Sequence, residues 1–298
     1  MSTHRLPTEQ NNPRTVTIGD ADTLSIMRMI HHEDSVAVAA MEAALDVLAA
    51  AADIIAARLK AGGRLFYVGA GTSGRIGVLD ASELPATYGV SPALVTAIVP
   101  GGYDTLPDAR LGDEDDRDGA RADLTAVRLS AADAVIGVAA SGRTPYTHEA
   151  LLFAREQGAF TLAITNVPHS LLSTAADMTA VIETGAEAIQ GSTRMKAGTT
   201  QKLALNMVST AVMIRLGKVY QNRMIDMDAV NEKLHERSVY MLKELTNCDA
   251  QTAQDTLAAC GGKVKTALVM ICRGVDAKTA LALLAAHDDT AGAWLWEE

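Results

Sequence analysis

Two copies of the tripeptide Ser-Gly-Arg stand where short apolar segments give way to helical patterns, at residues 73–75 and 141–143. At the beginning of a helix, such residues offer hydroxyl groups, free backbone N–H groups and the positive end of the helix dipole. Three or four charge-assisted hydrogen bonds, each contributing about 1.5–3 kcal/mol, hold a phosphate dianion without a metal ion. The two loops therefore predict one phosphate-sized anion site, and the alternative is a pair of simple serine helix caps. The predicted binding residues are Gly71, Thr72, Ser73, Gly74, Ser141, Gly142, Arg143 and Thr144.

A third polar cluster occupies residues 185–202, immediately before and within the start of another helical pattern. Its basic side chains oppose the dipole of the helix that follows, so helix stability does not explain them, whereas a bound anion does. The alternatives are a capped helix start with solvated charges and a Schiff-base lysine at position 196 or 202. The anion interpretation adds Ser192, Thr193, Arg194, Lys196 and Lys202 to the predicted phosphate-binding residues.

Cofactor and metal motifs are incomplete. Glycines 69, 71 and 74 satisfy the G-x-G-x-x-G pattern of dinucleotide-binding proteins, but the next predicted strand ends without the acidic residue that binds a ribose hydroxyl. No P-loop motif occurs. The three cysteines, Cys248, Cys260 and Cys272, form no C-x-x-C pair and predict small, buried apolar side chains instead. We therefore expect neither a cofactor nor a metal ion.

Alternating short apolar segments and helical patterns must position these loops. Strands are predicted at 65–69, 95–99, 134–138, 160–165 and 178–182, with helices at 73–82, 117–128 and 145–157 between them. This rhythm predicts an α/β fold with a doubly wound, mostly parallel sheet, whose ligands bind at the carboxyl ends of the strands. Residues 22–32 and 34–61 are predicted to be helical, and strands are expected to stop after about Ser192.

The predicted domain organisation has three parts. Residues 1–20 form a polar arm, and residues 21–245 form an α/β domain with flanking helices, which carries the predicted phosphate-sized anion site. Residues 246–298 form a small module of three short helices, which is too small to be stable alone. Long helices are also predicted at 199–216 and 228–245.

Composition narrows the class of function. The chain of 298 residues has 26 basic and 36 acidic side chains, a net charge of −10. Such a surface repels phosphate backbones and anionic lipid, so we expect neither nucleic-acid nor membrane binding. The first twenty residues contain no apolar stretch like that of a secretory signal, and no apolar run is long enough to span a membrane. The expected location is the cytoplasm.

Several segments together resemble the N-acetylmuramic acid 6-phosphate etherases, a branch of the sugar-isomerase-like (SIS) fold that also contains the glucokinase regulatory protein. GAEAIQGSTRMKAGTTQK is similar to the signature segment of that family, and NMVSTAVMIRLGKVYQNRMIDM continues it. VGAGTSGRIGVLDASELPATYG resembles the first loop, and TEQNNPR resembles the N-terminal arm. The C-terminal module is similar to the family's ubiquitin-associated-like domain. The likeness runs from about Thr8 to the C-terminus.

The resemblance implies a reaction and two catalytic residues. Members of the family remove D-lactate from N-acetylmuramic acid 6-phosphate, by elimination from the ring-opened aldehyde and then addition of water. The matching glutamates are Glu83, which would protonate the departing lactate oxygen, and Glu114, which would act at the C2 proton. From the residues alone, both would be interpreted as solvated carboxylates. Such an elimination needs an acid and a base but no metal or organic cofactor.

The chain also departs from the family pattern. Leu84 stands where the resemblance leads us to expect a cysteine, Leu111 stands where a glutamate is expected, and the loop at 100–104 differs slightly. The family further implies a homodimer with sites near the subunit interface. Two other functions remain open at this point, a non-catalytic sugar-phosphate sensor and a sugar-phosphate isomerase of the same fold. The sensor branch carries two such domains, whereas this chain has one set of loops.

Overall fold

Five short apolar segments form one parallel sheet in the computed structural model, which describes residues 6–108, 113–227 and 232–296. The strands are Leu65–Gly69 (β1), Val95–Ile98 (β2), Ala134–Ala139 (β3), Phe160–Thr165 (β4) and Met178–Val181 (β5). Their order is β2-β1-β3-β4-β5, and every neighbouring pair is parallel. Strands β1, β3 and β4 are buried along their whole length, as continuous apolar runs in a sheet covered on both faces require.

The sheet order creates a switch point between β1 and β3. From β1 the chain crosses to β2 on one side, and it then returns to β3 on the other. The loops that leave the carboxyl ends of β1 and β3 therefore diverge and leave a crevice between them, which is where open α/β sheets bind ligands. The Ser-Gly-Arg sequences follow these two strand ends: residues 73–75 lie at the start of the helix Gly71–Tyr88, and residues 141–143 lie in the loop after β3.

Helices surround this sheet and complete the first of two compact units, Met1–Ser82 with Ala93–Ser209. Aspartates fix some of the helix starts: Asp22 accepts hydrogen bonds from the N–H groups of Leu24 and Ser25, and Asp116 accepts one from Gly119. The helices are Thr23–Ala40 (α1), Leu45–Lys60 (α2), Gly71–Tyr88 (α3), Arg117–Ala126 (α4), Pro145–Glu156 (α5), Leu171–Ala175 (α6) and Lys196–Arg215 (α7); α3 and α7 continue into the second unit.

The second unit consists of Glu83–Pro92 and Thr210–Glu298. It has its own apolar core, to which Leu242, Leu257 and Leu268 contribute, and the three cysteines pack against that core without forming disulfides. Lys265 is buried in this unit, and it pairs with Asp226 and Asp289. The elements are Val219–Tyr220 (β6), Arg223–Met224 (β7), Glu232–Thr246 (α8), Ala250–Ala259 (α9), Val264–Arg273 (α10) and Ala277–Ala286 (α11).

The parallel α/β fold is confirmed, and several local predictions are corrected. The first two helices are interrupted by a 3-10 turn at Met41–Ala44 and not near residue 33. Helix α3 continues through Pro85 to Tyr88, because Leu84 and Tyr88 are both buried on one face of that turn. Strands do not stop at Ser192, since β6 and β7 pair as an antiparallel hairpin. The boundaries 21–245 and 246–298 stay a proposal.

Candidate active site

A cavity of about 560 Å³ opens at the carboxyl edge of the sheet, over the switch point between β1 and β3. Its walls come from the loop after β1, the loop after β3, the segment before α4, the N-terminal arm and the segment before α7. The lining residues are Leu6, Glu9, Ala70, Gly71, Thr72, Ser73, Glu114, Asp115, Ala139, Ala140, Ser141, Arg143, Thr144, Pro145 and Thr193. The two loops that the sequence pairs thus share one cavity.

A single residue, Ala70, separates the end of β1 from the start of helix α3. Gly71 has φ +56°, a conformation that favours glycine, and α3 begins there. A Cβ on Gly74 would stand 2.3 Å from the carbonyl oxygen of Gly69, so only glycine allows this turn. Gly74 therefore supports the cavity wall, and the backbone at Gly71–Ser73, the first turn of α3, has N–H groups without a carbonyl partner inside the helix, which suit an anion.

Ser73 is held from behind by a buried chain of amides. Its Oγ donates a 2.8 Å hydrogen bond to Oε1 of Gln201, and Nε2 of Gln201 donates to Oδ1 of Asn166 at 3.2 Å. Asn166 in turn donates to the carbonyl of Ile182 and to Oγ1 of Thr200, both at 2.9 Å. These hydrogen bonds fix the position of the Ser73 oxygen. Toward a ligand this oxygen can accept a hydrogen bond, and it can donate one when its proton turns away from Gln201.

The loop after β3 is equally constrained. Gly142 has φ +62°, and a Cβ there would lie 2.3 Å from Cβ of Ser170. The backbone N–H of Arg143 donates to Oγ of Ser141 at 3.3 Å, so this hydroxyl oxygen has a hydrogen-bond partner within the loop. Helix α5 then begins at Pro145, where the missing N–H needs no partner. Gly142 does not itself line the cavity, but its conformation aims Ser141, Arg143 and Thr144 at it.

Glu114 lies in the cavity wall. The carbonyl oxygen of Glu114 accepts the N–H of Tyr146 at 3.0 Å, which ties the segment before α4 to the start of α5 while the Glu114 side chain stays exposed. Glu83 is exposed on α3 and belongs to the second unit, so its catalytic role stays a proposal. The predicted departure at Leu111 and Gly112 lies outside the described residues.

Lys196, which the sequence predicts to bind phosphate, instead pairs with a side chain of the protein. Lys196 is fully buried, and its Nζ donates to Oε2 of Glu33 at 2.6 Å and to the carbonyl of Ala186 at 2.8 Å. Glu33 also receives two hydrogen bonds from Arg14. Hydrogen bonding to Arg14, the largest cause, and to Lys196 lowers the pKa of Glu33 to about 2, against the opposing effect of burial. The anion that balances Lys196 is therefore a side chain of the protein.

The N-terminus of α7 is occupied in the same way. The carboxylate of Glu187, itself fully buried, accepts the N–H groups of Lys196 at 2.9 Å and Ala197 at 3.0 Å. This helix end has no place for phosphate. Arg194 and Lys202 are exposed and do not line the cavity, nor does Ser192, so Thr193 is the member of the predicted set that does.

The N-terminal arm contributes Leu6 and Glu9 to the cavity, which the sequence analysis did not foresee. Hydrogen bonds fasten the arm to the segment before α7: Asn12 donates to the carbonyl of Ala186, Thr15 donates to that of Ala188, and Gln190 donates to that of Glu9. The resemblance already places a family motif at this arm, and that was the signal available for it. The polar composition alone predicts only an extended segment.

Hydrogen-bond donors and carboxylate acceptors come from different segments of the cavity wall. The two loops supply hydroxyls, N–H groups and Arg143, whereas Glu9, Glu114 and Asp115 supply carboxylates. Over residues 6–108, 113–227 and 232–296, no three His, Cys, Asp or Glu side chains are grouped so that they would hold a metal ion. Across the same ranges, no helix is long and apolar enough to cross a membrane. The arrangement suits a ligand with an anionic end and a hydroxylated body.

Comparisons with known proteins agree with this architecture. Residues 46–155 match the glucokinase regulatory protein N-terminal SIS domain, and residues 119–211 match the SIS domain. A phosphoheptose isomerase from Francisella tularensis has the same fold, with a TM-score of 0.50 and 16% identity over 65% of this chain and 100% of its own. The fold and the loops at the switch point therefore define a SIS-domain protein.

Two relatives show to which family of SIS-domain proteins the chain belongs. The N-acetylmuramic acid 6-phosphate etherase of Symbiobacterium thermophilum is 50% identical over 275 residues, which cover 92% of this chain and 91% of the relative. The etherase of Escherichia fergusonii is 46% identical over 287 residues, 96% of either chain. The chain belongs to the N-acetylmuramic acid 6-phosphate etherase family, a family of carbon–oxygen lyases, and the resemblance found in the sequence is confirmed.

Proposed function

We propose that this protein converts N-acetylmuramic acid 6-phosphate into N-acetylglucosamine 6-phosphate and D-lactate, in the recycling of cell-wall amino sugars. The observation that carries the proposal is the shared cavity, in which two glycine loops face a glutamate that matches a catalytic residue of the family. Ser73, Ser141, Thr72 and Thr144 would surround the phosphate, and the sugar would extend toward Glu114. Helix dipoles and N–H groups stabilise the dianion there without a metal ion.

The proposed chemistry is an elimination followed by an addition. Glu114 removes the C2 proton of the ring-opened aldehyde, the C2–C3 double bond forms, and the C3–O bond breaks with its electrons on the lactate oxygen. Glu83 protonates that oxygen. Glu83 then removes a proton from water, the oxygen adds to C3, and C2 regains its proton from Glu114. Each acid–base step typically contributes about 10²–10⁴ to the rate.

We also propose that the enzyme is a homodimer. The resemblance to the etherase family implies such a dimer, with its sites near the subunit interface. Large apolar side chains on the arm and α1 are more than half exposed and need cover, namely Val16, Leu24, Met27 and Val38. Sedimentation equilibrium distinguishes a mass of two chains from that of one.

The proposal includes a cytoplasmic location. All three cysteines are free, which fits a reducing compartment. A phosphorylated sugar as the substrate fits the same compartment.

The phosphate group should dominate recognition of the substrate. We expect N-acetylmuramic acid without the 6-phosphate to have a kcat/KM at least about 10³-fold lower, because it forgoes the three or four charge-assisted hydrogen bonds expected from the loops. Inorganic phosphate should inhibit competitively. The measurement is lactate release from the two sugars at equal concentration. Equal kcat/KM for both would show that the two loops serve another purpose and would remove the basis of the proposal.

A further inference from the structure

The carboxylate of Glu9 is a third acidic group in the cavity, and the proposed chemistry gives it no task. Glu9 lines the cavity together with Glu114 and Thr193. Its Oε2 lies 3.0 Å from the position that a Cβ on Gly191 would take, which places the carboxylate against the segment that carries Thr193. Among the described residues, its side chain has no hydrogen-bond or ion-pair partner.

The arm holds Glu9 firmly in this place. Glu9 ends a one-turn 3-10 helix, Pro7–Glu9, whose Leu6 and Thr8 are 3% and 0% exposed. The carbonyl of Glu9 accepts a 3.0 Å hydrogen bond from Nε2 of Gln190. These anchors limit the freedom of the backbone that carries the carboxylate, so less backbone entropy is lost when the carboxylate contacts a ligand.

Charge decides what this carboxylate can contact. An ionised carboxylate only accepts hydrogen bonds, so it repels the phosphate and the lactyl carboxylate of the proposed substrate. It attracts hydroxyl and amide N–H donors. In the proposed binding mode the loops at β1 and β3 take the anionic end of the ligand, so the groups that would reach Glu9 are those of the sugar body.

We propose that Glu9 is a specificity-determining residue, which accepts a hydrogen bond from a sugar hydroxyl or from the acetamido N–H of the ligand. This rests on the proposed function, since it takes a sugar phosphate as the ligand. The arm then does more than brace the segment before α7. It selects sugar phosphates over other phosphorylated compounds, because a ligand without the donor leaves the carboxylate desolvated and unpaired.

The test compares two ligands on the full-length protein. Titration calorimetry with N-acetylglucosamine 6-phosphate should show Kd about 10- to 100-fold weaker for Glu9→Gln than for the unmodified protein, as expected for one charge-assisted hydrogen bond. Inorganic phosphate should bind both proteins within about twofold. Glu9→Asp keeps the charge on a shorter side chain and should fall between them. Glu42→Gln, which removes an exposed carboxylate outside the cavity, should change neither Kd.

Two other outcomes of the calorimetry would overturn the inference. An unchanged Kd for the sugar phosphate would show that Glu9 does not touch the ligand. A parallel loss of phosphate affinity would show that Glu9 only supports the loops. The proposed function is read separately, from lactate release by the unmodified protein, so binding without turnover leaves the Glu9 test intact. A protein that binds no sugar phosphate at all contradicts both.

Discussion

Replacing Glu83 by glutamine should lower turnover of N-acetylmuramic acid 6-phosphate at least about 100-fold while the Kd for sugar phosphate stays within about twofold. Glutamine is nearly isosteric with glutamate but cannot deliver a proton to the lactate oxygen. Because Glu83 is exposed on α3 and belongs to the second unit, its replacement should leave the loops at β1 and β3 undisturbed. Lactate release gives the turnover, and calorimetry gives the affinity.

Exchange of the C2 proton with deuterated water separates the two glutamates. Glu83→Gln should still exchange this proton, since the base remains, whereas Glu114→Gln should lose both exchange and turnover. Asp118→Asn, an exposed acidic residue of α4 that does not line the cavity, is the matched control for Glu114 and should behave as the unmodified protein. Unaltered turnover in Glu83→Gln would remove this residue from the mechanism. Lost exchange in that variant would reverse the assigned roles.

Replacing Lys196 by alanine should lower the free energy of unfolding by about 3 kcal/mol, because it leaves a buried carboxylate with less compensation. Lys196 is fully buried, Glu33 is 1% exposed, and Arg14 would be the remaining partner of that carboxylate. Lys202→Ala is the matched control: the same residue type, in the same signature segment, but exposed. It should change stability by less than about 0.5 kcal/mol. Urea unfolding of the three proteins measures the difference.

The pH dependence of this difference follows from Glu33. Its pKa is lowered from 4.5 to about 2, so the stability that it contributes is present above pH 4.5 and is lost as pH falls toward 2. The gap between the unmodified protein and Lys196→Ala should therefore narrow over that interval. A stable Lys196→Ala variant with weakened phosphate binding would contradict the structural role and restore the one that the sequence predicts.

The parallel core was predictable, because buried strands are local patterns. The limits of β1 and β4 match the predicted segments 65–69 and 160–165, since uninterrupted apolar runs bounded by polar turns specify them. The end of α3 was not predictable in this way. Pro85 normally ends a helix, but Leu84 and Tyr88 are buried by tertiary packing, which a local pattern does not contain.

The candidate site was predictable in part for the same reason. The two Ser-Gly-Arg loops are local signals, and the sheet order brings them to one cavity. The partner of Lys196 was not predictable, because Glu33 is 163 positions away in the sequence and yet is the anion that pairs with it. Glu9 was not predictable from local sequence, because its arm is held at the cavity by hydrogen bonds to residues more than 170 positions away.

Lactate release from N-acetylmuramic acid 6-phosphate by the purified protein in EDTA is the most direct test of the proposed activity. We expect D-lactate and N-acetylglucosamine 6-phosphate in equal amounts, with the rate unaffected by the chelator. Saturable binding of this sugar without release of lactate would contradict the etherase activity and indicate a sugar-phosphate sensor. Neither binding nor release would show that the cavity between the two loops serves a different ligand.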